Sequence, residues 1–333
     1  MNDVVAEGLA RLAPRLAGEG ARLDGPSRLS AGASMETWAF AYDGPDGRRE
    51  LILRRRPGGA PAQDADGRAV PLRVEAALIQ AAAAGGVPAP PIVHVCGEAD
   101  GLGEAYVMGR VEGETLGRKI VSDPRFEAVR PKLARQCGQV LARIHATTPP
   151  DGAGLRTADA VAELDKYEEI YRASGAERPI LELAFRHLRQ RAPEPLAPVL
   201  LHGDFRNGNL MIDPQAGVVA VLDWELPHLG DPAEDLGWLC VNSWRFGRPD
   251  RPVGGFGDYA DLLAGYAEAG GRPIPLERVL YWQALGSLKW GVMCLIMYMS
   301  GATNKEAGVE RAVIGRRVSE TEIDIVRLLE RGL

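Results

Sequence analysis

The chain carries two hydrophobic periods, one after the other. Up to about residue 110 most of the pattern is that of strands and turns. Thr37–Tyr42 and Glu50–Arg55 flank the turn-forming run Asp43–Gly47 and predict a β-hairpin. Leu72–Ala84 predicts a helix, closed by Gly85-Gly86 and then Pro88. Ala105–Val111 reads as a further strand. From about residue 123 the helical period dominates. Arg130–His145 sets Leu133, Cys137, Val140, Leu141 and Ile144 on one face, and helices follow over Val161–Ser174, Ile180–Arg191, Asp258–Gly270 and Leu276–Ser300. The pattern predicts an α+β protein, with a small N-terminal antiparallel-sheet lobe over 1–110 and a larger, mostly helical C-terminal lobe over 111–333.

Composition narrows this picture. A length of 333 residues accommodates two lobes, and 46% apolar with 25% charged residues is an ordinary globular mixture. A net charge of −6 argues against nucleic acid as partner. The four cysteines, Cys96, Cys137, Cys240 and Cys294, are widely spaced and form no Cys-x-x-Cys pair, so a reducing, cytoplasmic setting is expected. The N-terminal MNDVVAEGLARLAPRL reads as a short amphipathic helix instead of a leader. In Tyr281–Ser300, Lys289 interrupts the apolar run and the remainder is too short to span a bilayer, so a buried core helix and no membrane partner are expected. His94, His187 and His228 show no metal-ligand spacing, and the tryptophans Trp238, Trp244, Trp282 and Trp290 read as core or pocket wall.

The candidate chemistry lies in LLHGDFRNGNLMID (200–213), a polar loop between two short apolar runs. Asp204 is followed by Asn209, and fourteen residues later Asp223 ends the apolar run VVAVLD. A strand, a turn and a strand fit in that interval and would bring Asn209 and Asp223 together with Asp204 facing the same space. One carboxylate and one amide oxygen suit Mg²⁺, while a second carboxylate accepts a proton from an attacking hydroxyl. Each residue alone is more often a turn former or cap. The ordered set His-x-Asp-x4-Asn followed by a strand-ending Asp is far rarer by chance, and its spacing is that of a kinase catalytic loop.

LHGDFRNGNLMID, followed by VVAVLDWELPHLGDPAEDLGWL, resembles the aminoglycoside phosphotransferase superfamily, which is protein-kinase-like and bilobal. The Arg in HGDFRNGN, with LSAGASMETWAF, is most similar to the phosphotransferase domains related to those fused to acyl-CoA dehydrogenases. The resemblance implies that Asp204 is the catalytic base, that Asn209 and Asp223 hold Mg²⁺, that His202 supports the loop and that Asp235 braces it. Asp223-Trp224-Glu225 replaces the kinase Asp-Phe-Gly, a bulky substitution that argues against a flip of this segment. Asp231, with Pro232 and Glu234, has the pattern of a capping box.

On the nucleotide side, Gly32, Ala33 and Ser34 would turn backbone N–H groups toward phosphates. Arg54 stands where kinases place Lys, with strand alternation turning it inward, although a register shift would favour Arg55 or Arg56. Glu75 would pair with it, and Met108, Arg110 and Val111 would receive the adenine. The expected function is ATP- and Mg²⁺-dependent O-phosphotransfer to a small hydroxylated molecule, a hydroxyacyl or related metabolite in preference to an aminoglycoside. Arg206 either meets an acceptor carboxylate or phosphate or braces a loop carboxylate. The alternatives are a catalytically silent nucleotide-binding module and an antibiotic kinase. A metal-dependent hydrolase lacks the required His-rich or dinuclear carboxylate cluster.

Overall fold

The structure, a computed structural model, describes residues 2–29, 35–57, 70–303 and 313–331. Gly32, Ala33 and Ser34 lie outside the described residues. Two compact units make up the chain: Met1–Glu112 with Thr147–Leu155 and Val219–Pro227, and Gly113–Ala146 with Arg156–Val218 and His228–Leu333.

The first unit is built on a five-stranded sheet: β1 (Arg22–Leu29), β2 (Glu36–Gly44), β3 (Gly47–Arg55), β4 (Ile92–Val95) and β5 (Ala105–Gly109), in the order β1-β2-β3-β5-β4. All pairs are antiparallel. The predicted hairpin is present with its strands extended into the turn, so that Gly44 pairs with Gly47. One sheet face is covered by α1 (Asn2–Ala17), whose Leu9, Leu12 and Leu16 pack on Trp38, Phe40, Tyr42, Leu51, Leu53 and Val107. Tyr42 donates its hydroxyl to Leu9 O at 2.6 Å, which ties α1 to β2. Burial on both faces explains why β2 reads as a nearly unbroken apolar run. The predicted helix forms as α2 (Leu72–Ala84), with Glu75 among its buried residues.

The second unit is mostly helical: α3 (Gly117–Ser122), α4 (Arg130–Ala146), α5 (Ala160–Ala173), α6 (Pro179–Gln190), α7 (Ala233–Leu239), α8 (Tyr259–Glu268), α9 (Leu276–Thr303) and α10 (Val318–Glu330). β6 (Val199–Leu201) pairs antiparallel with β9 (His228–Gly230), and β7 (Leu210–Asp213) precedes β8 (Gly217–Val221), in which the division between units falls. α4 and α8 approach to backbone contact: a Cβ on Gly138 would lie 2.1 Å from Leu262 O, and one on Gly265 2.0 Å from Arg135 O. α9 is longer than the sequence predicted. Its Leu276–Met299 stretch is long and apolar enough to cross a membrane by length and composition, which corrects the reading that Lys289 leaves too short a run, and 78% of that window is buried inside the protein. Lys289 does not interrupt the helix, because carboxylates and aromatic rings of the same unit match its charge.

Candidate active site

The loop between β6 and β7 is held from below by α7. Asp235, fully buried, accepts the backbone N–H of His202 at 2.8 Å and of Gly203 at 3.0 Å. Its other neighbour is His145 Nε2 at 3.3 Å, and the His145 Nδ1 edge meets Tyr266 OH at 2.9 Å. Burial alone would raise the Asp235 carboxyl, but the His145 contact, the nearby His202 and the backbone donor outweigh it and hold the group below the ordinary carboxylate range. His202 in turn accepts the Asp204 N–H on Nδ1 at 3.2 Å. The brace therefore runs from α7 through the loop backbone to Asp204.

The Asp204 side chain is surrounded by donors. Trp238 Nε1 donates to Oδ1 at 2.7 Å, Asn209 Nδ2 to Oδ2 at 2.7 Å, and Arg206 Nε lies 3.1 Å from both oxygens. Asn209 Nδ2 also reaches Asp204 O at 3.0 Å, so its amide oxygen is directed away from the carboxylate. The Arg206 guanidinium lies 4.6 Å over the Trp244 ring. It thus braces the carboxylate of its own loop. Gly208 leaves room for it: at φ +120° a Cβ would lie 2.7 Å from Arg206 Nη1.

In the first unit Arg54 collects three carboxylates. Its Nε lies 2.9 Å from Glu75 Oε1, and Nη2 lies 2.5 Å from Asp223 Oδ1 and 3.5 Å from Glu225 Oε2. Tyr106 OH donates to Glu75 Oε1 at 2.9 Å. Burial pushes the Glu75 carboxyl up, and Arg54 offsets this only in part. Arg55 and Arg56 turn elsewhere, to Glu36 and Leu102 O and to Glu104 and Val70 O respectively, so Arg54 is the strand residue that faces Glu75. Asp223 takes φ +65°, a left-handed conformation that Asp tolerates better than most residues. Trp224 beside it is fully buried and donates to Val221 O at 3.2 Å, so flipping this segment would extract an entire indole from the core. Met108 lies in β5 between Ile52 and Ile92, and Arg110 gives its backbone N–H to Glu50 O at 3.1 Å. Val111 follows β5 half-buried.

Some side chains sit differently from the sequence expectation. The capping box at Asp231 does not form. Asp231 Oδ1 accepts Ala233 N–H at 2.9 Å and Oδ2 pairs with Arg278, but Glu234 turns to His228 at 3.3 Å instead of returning to the Asp231 backbone. His94 gathers with Cys96 and Asp100, which spacing had not suggested, and Arg15 binds His94 Nε2 at 2.9 Å and Asp100 Oδ1 at 2.6 Å. Trp238, read as core or pocket wall, is a direct partner of Asp204. The available signal was its position three residues after Asp235, on the same helix face.

Comparison with known proteins gives the family and the fold. The family model described as the phosphotransferase enzyme family (APH) matches residues 26–274. Acyl-CoA dehydrogenase family member 10 of Mus musculus is 31% identical over 204 residues, covering 58% of this chain and 18% of that protein. Acyl-CoA dehydrogenase family member 11 of Pongo abelii is 26% identical over 304 residues, covering 86% of this chain and 37% of that protein. The chain therefore spans well under half the length of these relatives. Among solved structures, spectinomycin phosphotransferase APH(9)-Ia, in complex with ADP and spectinomycin, superimposes with a TM-score of 0.63 at 13% identity, covering 95% of this chain and 96% of that one. The choline/ethanolamine kinase family protein of Mesorhizobium loti gives 0.60 at 20% identity, covering 99% and 98%. The fold is the kinase-like α+β fold of these enzymes.

Proposed function

Because the chain belongs to the phosphotransferase enzyme family, we propose that it is an ATP- and Mg²⁺-dependent O-phosphotransferase whose acceptor is a small hydroxylated molecule, a hydroxyacyl compound in preference to an aminoglycoside. The observation that carries this reading is the Asp204 carboxylate, held by Trp238, Asn209 and Arg206 on a loop whose backbone is pinned by Asp235. Asp204 orients the acceptor hydroxyl and takes its proton as the acceptor oxygen bonds to the γ-phosphorus of ATP, while the bond from that phosphorus to the β,γ-bridging oxygen breaks and ADP leaves with the electron pair. Arg54, the inward cation of β3, contacts the nucleotide phosphates. Phosphoryl transfer asks little covalent chemistry of a protein, so rigid placement of these groups accounts for most of the rate.

The donor chemistry fits Mg²⁺. Asn209 offers an amide oxygen and Asp223 a carboxylate, both hard ligands, and Glu225 brings a further carboxylate to the same guanidinium as Asp223. When bound, the ion would neutralise phosphate charge. ATP is supported by family membership and by the ADP complex of the spectinomycin enzyme.

An anionic acceptor is preferred on charge: the Arg206 guanidinium, although paired with Asp204, keeps a positive group on Trp244 beside the proposed base, a poor surrounding for a polycationic antibiotic and a better one for a carboxylate or phosphate. The names of the acyl-CoA dehydrogenase relatives point the same way. The test is ADP release from purified protein offered hydroxyacyl thioesters, free hydroxy acids and kanamycin-like aminoglycosides. The reading expects kcat/KM above about 10⁴ M⁻¹s⁻¹ for a member of the first two classes. Efficient turnover of aminoglycosides alone would make this an antibiotic kinase, and MgATP binding without turnover on any acceptor or water would make it a silent nucleotide-binding module.

A further inference from the structure

One buried cation takes no part in the phosphoryl transfer proposed for Asp204 and Arg54. Lys289 lies midway along α9 with its side chain 8% exposed, and a lysine is rarely placed so deep without a task. Its ammonium sits 4.7 Å over the ring of Trp238 and 5.9 Å from that of Tyr167. Its nearest carboxylate is Glu234 on α7, at 3.8 Å. Glu163 of α5 completes the surroundings, itself paired to Arg156 at 2.5 Å, and His228 meets Glu234 at 3.3 Å. Burial by itself would lower the ammonium's pKa, but Tyr167, Glu234, Glu163 and Asp204 outweigh burial and favour the charged form.

The arrangement is directional. One edge of the Trp238 indole donates to Asp204 Oδ1, and its face carries the Lys289 charge. A cation over the ring draws electron density from it and makes the N–H a stronger donor, while the stack favours the ring orientation that presents that N–H to Asp204. Trp238 and Asp235 lie one turn apart on α7, so the same helix fixes the loop backbone through Asp235 and the loop carboxylate through Trp238. A carboxylate that must orient a hydroxyl in a loose transition state needs a defined rotamer more than a strong basicity. We propose that Trp238, backed by the buried Lys289, is a positioning residue that sets the rotamer of Asp204 for in-line transfer.

This inference rests on the reading of Asp204 as the base, so the experiment has one arm that needs no turnover. In ¹H–¹⁵N spectra of the whole protein the Trp238 indole resonance is identified by its loss in Trp238→Phe. It should lie downfield, as a donor to a carboxylate does, and move upfield in Asp204→Ala and in Lys289→Met. Lys289→Arg should restore it. If Lys289→Met does not fold, the double variant Lys289→Met/Glu234→Gln removes the buried pair together. In the second arm, MgATP hydrolysis with water as acceptor is followed by ADP release. Trp238→Phe and Lys289→Met should each lower kcat by roughly tenfold, the factor associated with a lost hydrogen bond to a charged group. KM for ATP should stay within about twofold and Lys289→Arg should recover most of the rate. An indole resonance indifferent to Lys289, or a rise in KM with kcat retained, overturns the proposal. Absence of any ADP release by the wild type defeats the kinase reading instead and leaves the spectral result to decide the placement.

Discussion

The two polar centres of this protein are opposites. Around Arg54, in the first unit, acceptors outnumber donors: Glu75, Asp223 and Glu225 share one guanidinium. Around Asp204, in the second unit, donors outnumber acceptors: Trp238, Asn209 and Arg206 converge on one carboxylate, with Lys289 behind Trp238. An acceptor-rich centre is completed by a cation, and a donor-rich centre is completed by an oxygen or an anion. Under the proposed function the first centre would supply a metal-binding carboxylate and the phosphate-binding cation, and the second would supply the base, and each role can be broken separately.

The largest effect is expected at Asp204. Asp204→Asn should reduce phosphoryl transfer by about 10²–10⁴-fold, the usual worth of a positioned base, while calorimetry finds ATP binding nearly unchanged. Activity within a few fold of the wild type would remove Asp204 from that role and with it the donor-rich half of the contrast.

Asp235→Ala should come next, and in stability. It strips a buried carboxylate from two backbone N–H groups and His145, so urea unfolding should report a loss of roughly 3–5 kcal/mol. Unchanged stability would mean that the fold does not depend on these buried bonds, and a loss confined to catalysis would limit the brace to placing the loop.

Arg54 sharpens the other half. Arg54→Ala should weaken MgATP binding by at least roughly tenfold, and Arg54→Lys should retain part of it, since lysine keeps the charge but not the fork. Arg55→Ala, which cuts the bonds to Glu36 and Leu102 O, should lower Tm without a matching loss of affinity. The reverse result would shift the nucleotide cation by one residue.

The smallest effect concerns pH. Glu163, next to Lys289 and Arg156, is held down at about 2: burial alone would raise it, and the two cations with His228 outweigh burial. An unfolded Glu titrates near ~4.3, so this group contributes stability that is fully present above that value. The contribution is lost as pH falls toward about 2. Glu163→Gln should therefore flatten the acid limb of a stability profile between these values. An unchanged acid limb would show that the cations around Lys289 are matched by other groups.

Much of this protein was determined by local sequence. The period change near residue 110 separates a sheet from helices because strands repeat every two residues and helices every 3.6. Alternation along LILRRRP turned Arg54 and not Arg55 toward Glu75, and HGDFRNGN set Asn209 within reach of Asp204 because five residues of tight loop cannot carry them far apart. Tertiary structure alone decided what surrounds those groups. Trp238 lies 34 positions from Asp204, and Lys289 reaches that indole from another helix; no period links them. Glu234 had the right spacing for a capping box, yet it left the Asp231 backbone for His228, because there the buried carboxylate meets both an imidazole and the Lys289 ammonium. Spacing encodes contacts within a turn or a strand, whereas the partners of a buried charge are chosen by which side chains the packed core leaves beside it.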